Sequence, residues 1–143
     1  MKIKKLEELE WIGGVLVHGC FDMLHLGHLR MIDWAKSLGS PLTVTITADK
    51  YFPEKGKHRP AFPQEIRAEW LSHIENIDHV AIVHEPTAVT AIRIIKPEIF
   101  CKGENKLLNI EELALNGIRL AIYPDGHLYS STNILSGKYL EDK

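Results

Sequence analysis

Apolar residues in this chain come in short runs separated by amphipathic stretches. Val15–His18 is an apolar run of strand length. Leu26–Leu38 places Leu26, Leu29, Ile32, Ala35 and Trp34 near the helical period and predicts a helix with one apolar face. Gly39-Ser40-Pro41 ends it, because glycine leaves a helix readily and proline cannot continue one. Leu42–Ala48 alternates threonine with Leu, Val and Ile and predicts a second strand. Asp49–Pro63 holds Pro53, Pro60 and Pro63 and is a loop. Gln64–His73 follows as a helix opened by Pro63, then Val80–Val83 as a strand. Thr87–Ile95 is a helix bounded by Pro86 and Pro97, and Ile99–Lys102 a strand ending at Gly103. Ile110–Asn116 is a short helix stopped by Gly117, Ile118–Tyr123 a fifth strand, and Ser131–Leu140 a last helix interrupted by Gly137.

Five strands with helices between them predict an α/β chain: a single Rossmann-like domain, with a five-stranded parallel sheet and helices on both faces. The domain takes in residues 1–143, with residues 1–13 as an N-terminal extension. In such sheets ligands gather beyond the carboxyl ends of the strands. The segments richest in candidate chemistry fall there: Gly19–His28, Asp49–Arg59, Lys102–Asn105 and Tyr123–Asn133.

Composition narrows the function without naming it. At 143 residues and 45% hydrophobic, the chain can bury one core. Its net charge of −2 argues against general binding to nucleic acid or a membrane surface, and no apolar run approaches the roughly 18 residues of a membrane span. Positive charge is local: Lys50, Lys55, Lys57, His58 and Arg59 could hold one polyphosphate. Cys20 and Cys101 form no metal-binding or redox pattern, and the N-terminus lacks the apolar stretch of a signal peptide. The expectation is a cytoplasmic protein with two reduced thiols.

The densest chemistry lies at His18-Gly19-Cys20-Phe21-Asp22-Met23-Leu24-His25-Leu26-Gly27-His28, directly after Val15-Leu16-Val17. A buried strand runs into a glycine turn, and the turn opens a helix. Unpaired N–H groups at a helix start carry the positive end of its dipole and attract anions. Gly19 and Gly27 let backbone approach a bulky polyanion, and His25 and His28 project from neighbouring positions of the first turn toward phosphate oxygens. The pattern predicts a nucleotide site.

Gly19-Cys20-Phe21-Asp22 with His25-Leu26-Gly27-His28 resembles the signature of the cytidylyltransferase-like nucleotidyltransferases. Lys55-Gly56-Lys57-His58-Arg59-Pro60, Pro63 and Arg67-Ala68-Glu69 resemble the branch that adenylylates heptose 1-phosphate. So do Ile77-Asp78-His79-Val80, Thr87, Ile94-Ile95, Pro97-Glu98, Lys102-Gly103, Asp125-Gly126 and Ser130-Ser131-Thr132-Asn133-Ile134, in order, with two residues inserted before the serines. The glycerol-3-phosphate cytidylyltransferase branch is next in similarity, but its arginine before the last helix is missing here.

The resemblance implies an enzyme. A phosphate oxygen of an acceptor such as a sugar 1-phosphate attacks the α-phosphorus of a nucleoside triphosphate in line, and pyrophosphate leaves. Catalysis of this kind is positioning and charge neutralisation. By analogy His25 and His28 donate to the triphosphate, Lys55 and Lys57 hold phosphates, and Arg67 reaches the β and γ phosphates or the leaving group. Gly19, Cys20, Phe21, Asp22 and Gly27 line the nucleotide, as do Lys102, Gly103 and Glu104, while Ser131 and Thr132 bind phosphate while capping the last helix. Mg²⁺ enters with the triphosphate, with Asp22 as a weak protein ligand. ATP is favoured over CTP, and the family implies a homodimer paired beside the active site.

Plainer readings stand beside these. The histidines could lie on a helix surface or form half a zinc site, and the Lys55–Arg59 cluster could be a solvated loop. Arg67 could pair with Glu69 or Asp78, Asp22 could hydrogen-bond its turn, and Ser131-Thr132 could be a simple cap. Trp34, Trp70 and Phe62 read as packing, and His73, His79 and His84 receive no role. Asn105 replaces a family aspartate, which leaves a nucleotide-binding module without turnover as an alternative, beside a cytidylyltransferase and a metal-binding assembly protein.

Overall fold

The computed structural model of the chain describes residues 1–52, 60–103 and 110–124. Its strands are β1 (Val15–Gly19), β2 (Leu42–Thr47), β3 (His79–Val83), β4 (Ile99–Lys102) and β5 (Arg119–Ile122). The helices are α1 (Leu26–Leu38), α2 (Gln64–Ser72), α3 (Val89–Ile95) and α4 (Ile110–Leu115). All pairings are parallel, in the order β3-β2-β1-β4-β5. The chain winds outward from β1 to β3, then crosses to β4 on the other flank. The order therefore reverses between β1 and β4, and a crevice opens there at the carboxyl edge.

The sheet is covered on both sides, as its apolar strands require. Met31, Ile32 and Ala35 of α1, with Ala68 and Leu71 of α2, pack on Val15, Val17, Leu42, Val44 and Ile46. On the opposite face Ala91, Ile92 and Ile95 of α3, with Leu113 of α4, pack on Leu16, Ala81, Val83 and Phe100. The turn into β1 needs Gly14: its φ is 71°, and a Cβ there would sit 2.2 Å from the Pro41 carbonyl oxygen.

Two expectations change. Residues 1–13 are part of the fold rather than an extension: Ile3 bridges Val80, and a 3-10 turn over Leu6–Leu9 buries Leu9 in the core. The apolar face of α1 is also rotated. Leu26 and Leu29 are 43% and 36% exposed, and the buried line runs instead through Met31, Ile32 and Ala35. Extended back by the helical spacing of three to four residues, that line meets His28. The first turn of α1 stands at the carboxyl edge of the sheet, so the position facing inward there holds a polar side chain. The helix predicted over Ser131–Leu140 lies outside the described residues.

Candidate active site

The turn between β1 and α1 folds back on itself. Phe21 takes a left-handed backbone, φ 51°, and is 5% exposed. A Cβ on Gly19 would meet the Phe21 ring at 3.1 Å, a tight contact, so glycine leaves room for Phe21 as well as for a ligand. The same ring lies 4.9 Å from that of His28.

His25 and His28 form the N-terminal cap of α1. The Gly27 N–H donates to His25 Nδ1 at 3.1 Å, and the His25 N–H donates to His28 Nδ1 at 3.2 Å. Both Nδ1 atoms are therefore acceptors, and each neutral ring must carry its proton on Nε2. The rings stack with centroids 3.8 Å apart. Burial, and then the neighbouring His25, lower the His28 pKa to about 3; burial lowers that of His25 as well. Near pH 7 the pair thus presents two neutral N–H donors at a helix N-terminus, the preorganised arrangement that suits phosphate oxygens.

Arg67 sits beneath this turn rather than open to a ligand. It is 0% exposed. Its Nε donates to the Phe62 carbonyl at 3.0 Å, its Nη1 to the Cys20 and Thr47 carbonyls at 2.8 and 3.0 Å, and its Nη2 pairs with Asp49 Oδ1 at 2.5 Å. The ion pair is with Asp49, not Glu69 or Asp78; Asp78 instead pairs with Lys36. In this structure Arg67 braces the glycine turn, the end of β2 and the start of α2.

Asp22 completes that brace. It is 3% exposed, and its two carboxylate oxygens accept the N–H groups of Ala61 and Phe62 at 2.6 and 2.9 Å. Asp22 thus holds its turn, the plainer of the two readings of this residue. Among the described residues no three His, Cys, Asp or Glu side chains come together to hold a metal ion. The Phe52 ring lies 5.3 Å from the Arg67 guanidinium, while Ala61 and Phe62 donate to Asp22.

Lys102 and Gly103 reach the site from the other side of the crevice. The register Val17↔Cys101 sets Lys102 beside His18, at the end of the strand next to β1. Gly19, Cys20, Phe21, Asp22, His25, Gly27, His28, Lys102 and Gly103 thus gather at one sheet edge, with Arg67 under it. Lys55, Lys57, Glu104, Asn105, Ser131 and Thr132 lie outside the described residues. A cavity of about 690 Å³ between the N-terminal segment and the end of β3, lined by Ile3, Leu6, Ile82, His84 and Thr90 among others, includes none of these residues.

Sequence reasoning missed His18 and Asp49. His18 Nδ1 lies 2.8 Å from Thr45 Oγ1 and Nε2 lies 3.3 Å from Thr47 Oγ1, and burial and then Lys102 lower its pKa to about 4. The alternating threonines of β2 were the available signal, since they line one face of a fully buried strand with hydroxyls. For Asp49 no local pattern pointed to a partner 18 positions away.

Fold and crevice together define the class: an α/β domain with the Rossmann-like nucleotidyltransferase fold. Residues 16–135 match the cytidylyltransferase-like family model, and the chain belongs to that family. It is 40% identical over 111 residues to the bifunctional protein HldE of a Nitratiruptor species, covering 71% of this chain and 24% of that protein. With the HldE of Aliarcobacter butzleri it shares 34% identity over 146 aligned positions, 93% of this chain and 30% of that one. The chain thus spans less than a third of the length of these curated relatives. A lipopolysaccharide core biosynthesis protein from Thermoplasma volcanium superposes with a TM-score of 0.61 at 27% identity, over 77% of this chain and 93% of that one.

Proposed function

We propose that this protein is a nucleotidyltransferase that moves a nucleoside monophosphate from a nucleoside triphosphate, ATP in preference to CTP, to a sugar 1-phosphate. The observation that carries this reading is the reciprocal cap of His25 and His28, which leaves two neutral Nε2–H donors at the start of α1. The acceptor phosphate is already an anion at neutral pH, so attack at the α-phosphorus needs no protein base. The O–P bond to the acceptor forms as the bond to the pyrophosphate oxygen breaks, and the pair donates to the negative charge that builds on the phosphate oxygens. Lys55, Lys57 and Lys102 supply further positive charge, and Ser131 and Thr132 bind phosphate in this reading. A Mg²⁺ ion bound with the triphosphate would supply neutralisation of phosphate charge.

Similarity to the HldE proteins and to a lipopolysaccharide core biosynthesis protein supports a sugar phosphate as acceptor. The reading includes a cytoplasmic protein; no helix among the described residues is long and apolar enough to cross a membrane. It also includes a homodimer, for which exposed Leu26 and Leu29 beside the histidines offer apolar surface.

The test is a thermal-shift panel with ATP, CTP, GTP and UTP, each with Mg²⁺, followed by pyrophosphate release on sugar phosphates. A nucleotide at 100 times its Kd stabilises the fold by about 2.7 kcal/mol. The expected result is a shift with ATP that the His25→Ala/His28→Ala variant loses, and turnover reduced at least ~100-fold in that variant. A shift with CTP alone moves the protein to the cytidylyl branch. Nucleotide binding without pyrophosphate release on any acceptor overturns the enzyme reading.

A further inference from the structure

We propose that His18 is a positioning residue for nucleotide binding, tying the carboxyl ends of β1 and β2 together and holding Lys102 in place on the same sheet face; this rests on the nucleotidyl-transfer reading above. His18 is the last residue before Gly19, and its register partner is Thr45. Side chains alternate along a strand, so Thr45, Thr47 and His18 share one face. The ring meets both hydroxyls, at 2.8 and 3.3 Å. A neutral imidazole has one donor and one acceptor, and a hydroxyl can play either part, so both contacts are satisfied in either tautomer. Lys102 flanks the ring from β4. A polar row therefore crosses the sheet from Thr45 and Thr47 through His18 to Lys102, directly behind the glycine turn. The row also spans the β1–β4 crevice, where the strand order reverses.

A neutral ring is needed in that place. A leucine would leave two hydroxyls unpaired at the strand ends, and a cation would repel the Lys102 ammonium. His18 is joined to β2 by side-chain bonds as well as by the sheet ladder, so the end of β1 cannot drift while the turn binds phosphate. His18 touches the reacting atoms only through its neighbours, which makes its effect one of coupling.

The experiment is titration calorimetry of ATP with Mg²⁺ on the full chain, for wild type, His18→Leu, His18→Asn, Thr45→Val, Lys102→Ala and the His18→Leu/Lys102→Ala pair. His18→Leu is expected to weaken ATP binding about tenfold, the scale of one or two hydrogen bonds. His18→Asn, which keeps a polar atom where Nδ1 stands, is expected to stay within about threefold of wild type. The paired variant is expected to bind about as weakly as Lys102→Ala alone, because the two side chains act as one unit. Thr45→Val keeps its shape, removes the shorter bond and decides the matter if His18→Leu does not fold. An unchanged ATP affinity with only a lower melting temperature, or losses that multiply in the paired variant, overturns the proposal. Wild type that binds no nucleotide sinks the nucleotidyl-transfer reading and this inference with it, whereas wild type that binds while the variants show no coupling sinks this inference alone.

Discussion

His25 and His28 cap one helix through each other: the His25 N–H bonds His28 Nδ1, and His25 Nδ1 in turn accepts from Gly27. Helix starts are usually capped by Ser, Thr, Asp or Asn, whose oxygens do this work alone. Imidazole does it with one nitrogen and leaves the other protonated and free to donate. In the proposed function the cap and the anion donor are the same ring.

That double duty can be separated. Asparagine at position 25 keeps an acceptor near Nδ1 and removes the Nε2–H. His25→Asn is expected to melt within a few degrees of wild type yet lose at least ~100-fold in turnover, the cost of one preorganised donor. His25→Ala is expected to lose similar activity and, in addition, about 1 kcal/mol of stability with the cap. Equal denaturant midpoints for the two variants would contradict the capping role.

Arg67 and Asp49 make a second test. Arg67 is buried but Asp49 is 37% exposed, so removing Arg67 leaves a solvated carboxylate and the Phe62, Cys20 and Thr47 carbonyls without its donors, at about 1–3 kcal/mol. Arg67→Met is expected to lose stability on that scale in urea unfolding. A variant as stable as wild type but with a raised KM for the triphosphate would return Arg67 to a phosphate-binding role.

Asp22 separates a turn from a metal ligand. Asp22→Asn keeps one carbonyl oxygen for the Ala61 and Phe62 N–H groups and loses the other acceptor. The expected outcome is a loss of about 1–3 kcal/mol in stability, with the Mg²⁺ concentration for half-maximal rate unchanged. A tenfold rise in that concentration would make Asp22 a metal ligand after all.

Acid should unfold the protein in part through its histidines. His18 and His28 titrate in the folded state at about 4 and about 3, against 6.5 when unfolded. Between those values the unfolded chain binds more protons, so stability rises with pH. It is fully present above about pH 6.5 and falls, by about 1.4 kcal/mol per pH unit for each group, as the pH drops toward the folded values. Melting at pH 7, 6 and 5 should show a steeper decline for wild type than for His28→Asn. Parallel declines would mean that His28 is not buried in solution.

Much of this is legible from local pattern. The glycine stop at Gly39, the alternation in β2 and the prolines around α3 set element bounds to within a residue or two, because each acts on its own stretch of backbone. The His25–His28 cap is legible as a motif at a helix start, though its reciprocal geometry is not. Leu26 and Leu29 mislead the phase of α1. Periodicity reports which residues are apolar, and at the edge of a sheet the inward position need not be apolar.

By itself the sequence determined the order of strands and helices, the family, and the turn that carries the histidines, since these depend on residues close together in the chain. Only the tertiary structure decided that Arg67 and Asp22 bond the backbone around the turn, that His18 joins two strand ends, and that the N-terminal segment packs on the domain through Leu9. Those outcomes depend mostly on distant partners, such as Arg67 with Asp49, 18 positions apart, and Ile3 with Val80, 77 apart. Such pairings come from how the sheet is wound, and no local spacing encodes them. Burial follows from the same winding: it turns a cation that looks ready for phosphate into a brace, and keeps two histidines neutral where phosphate would bind.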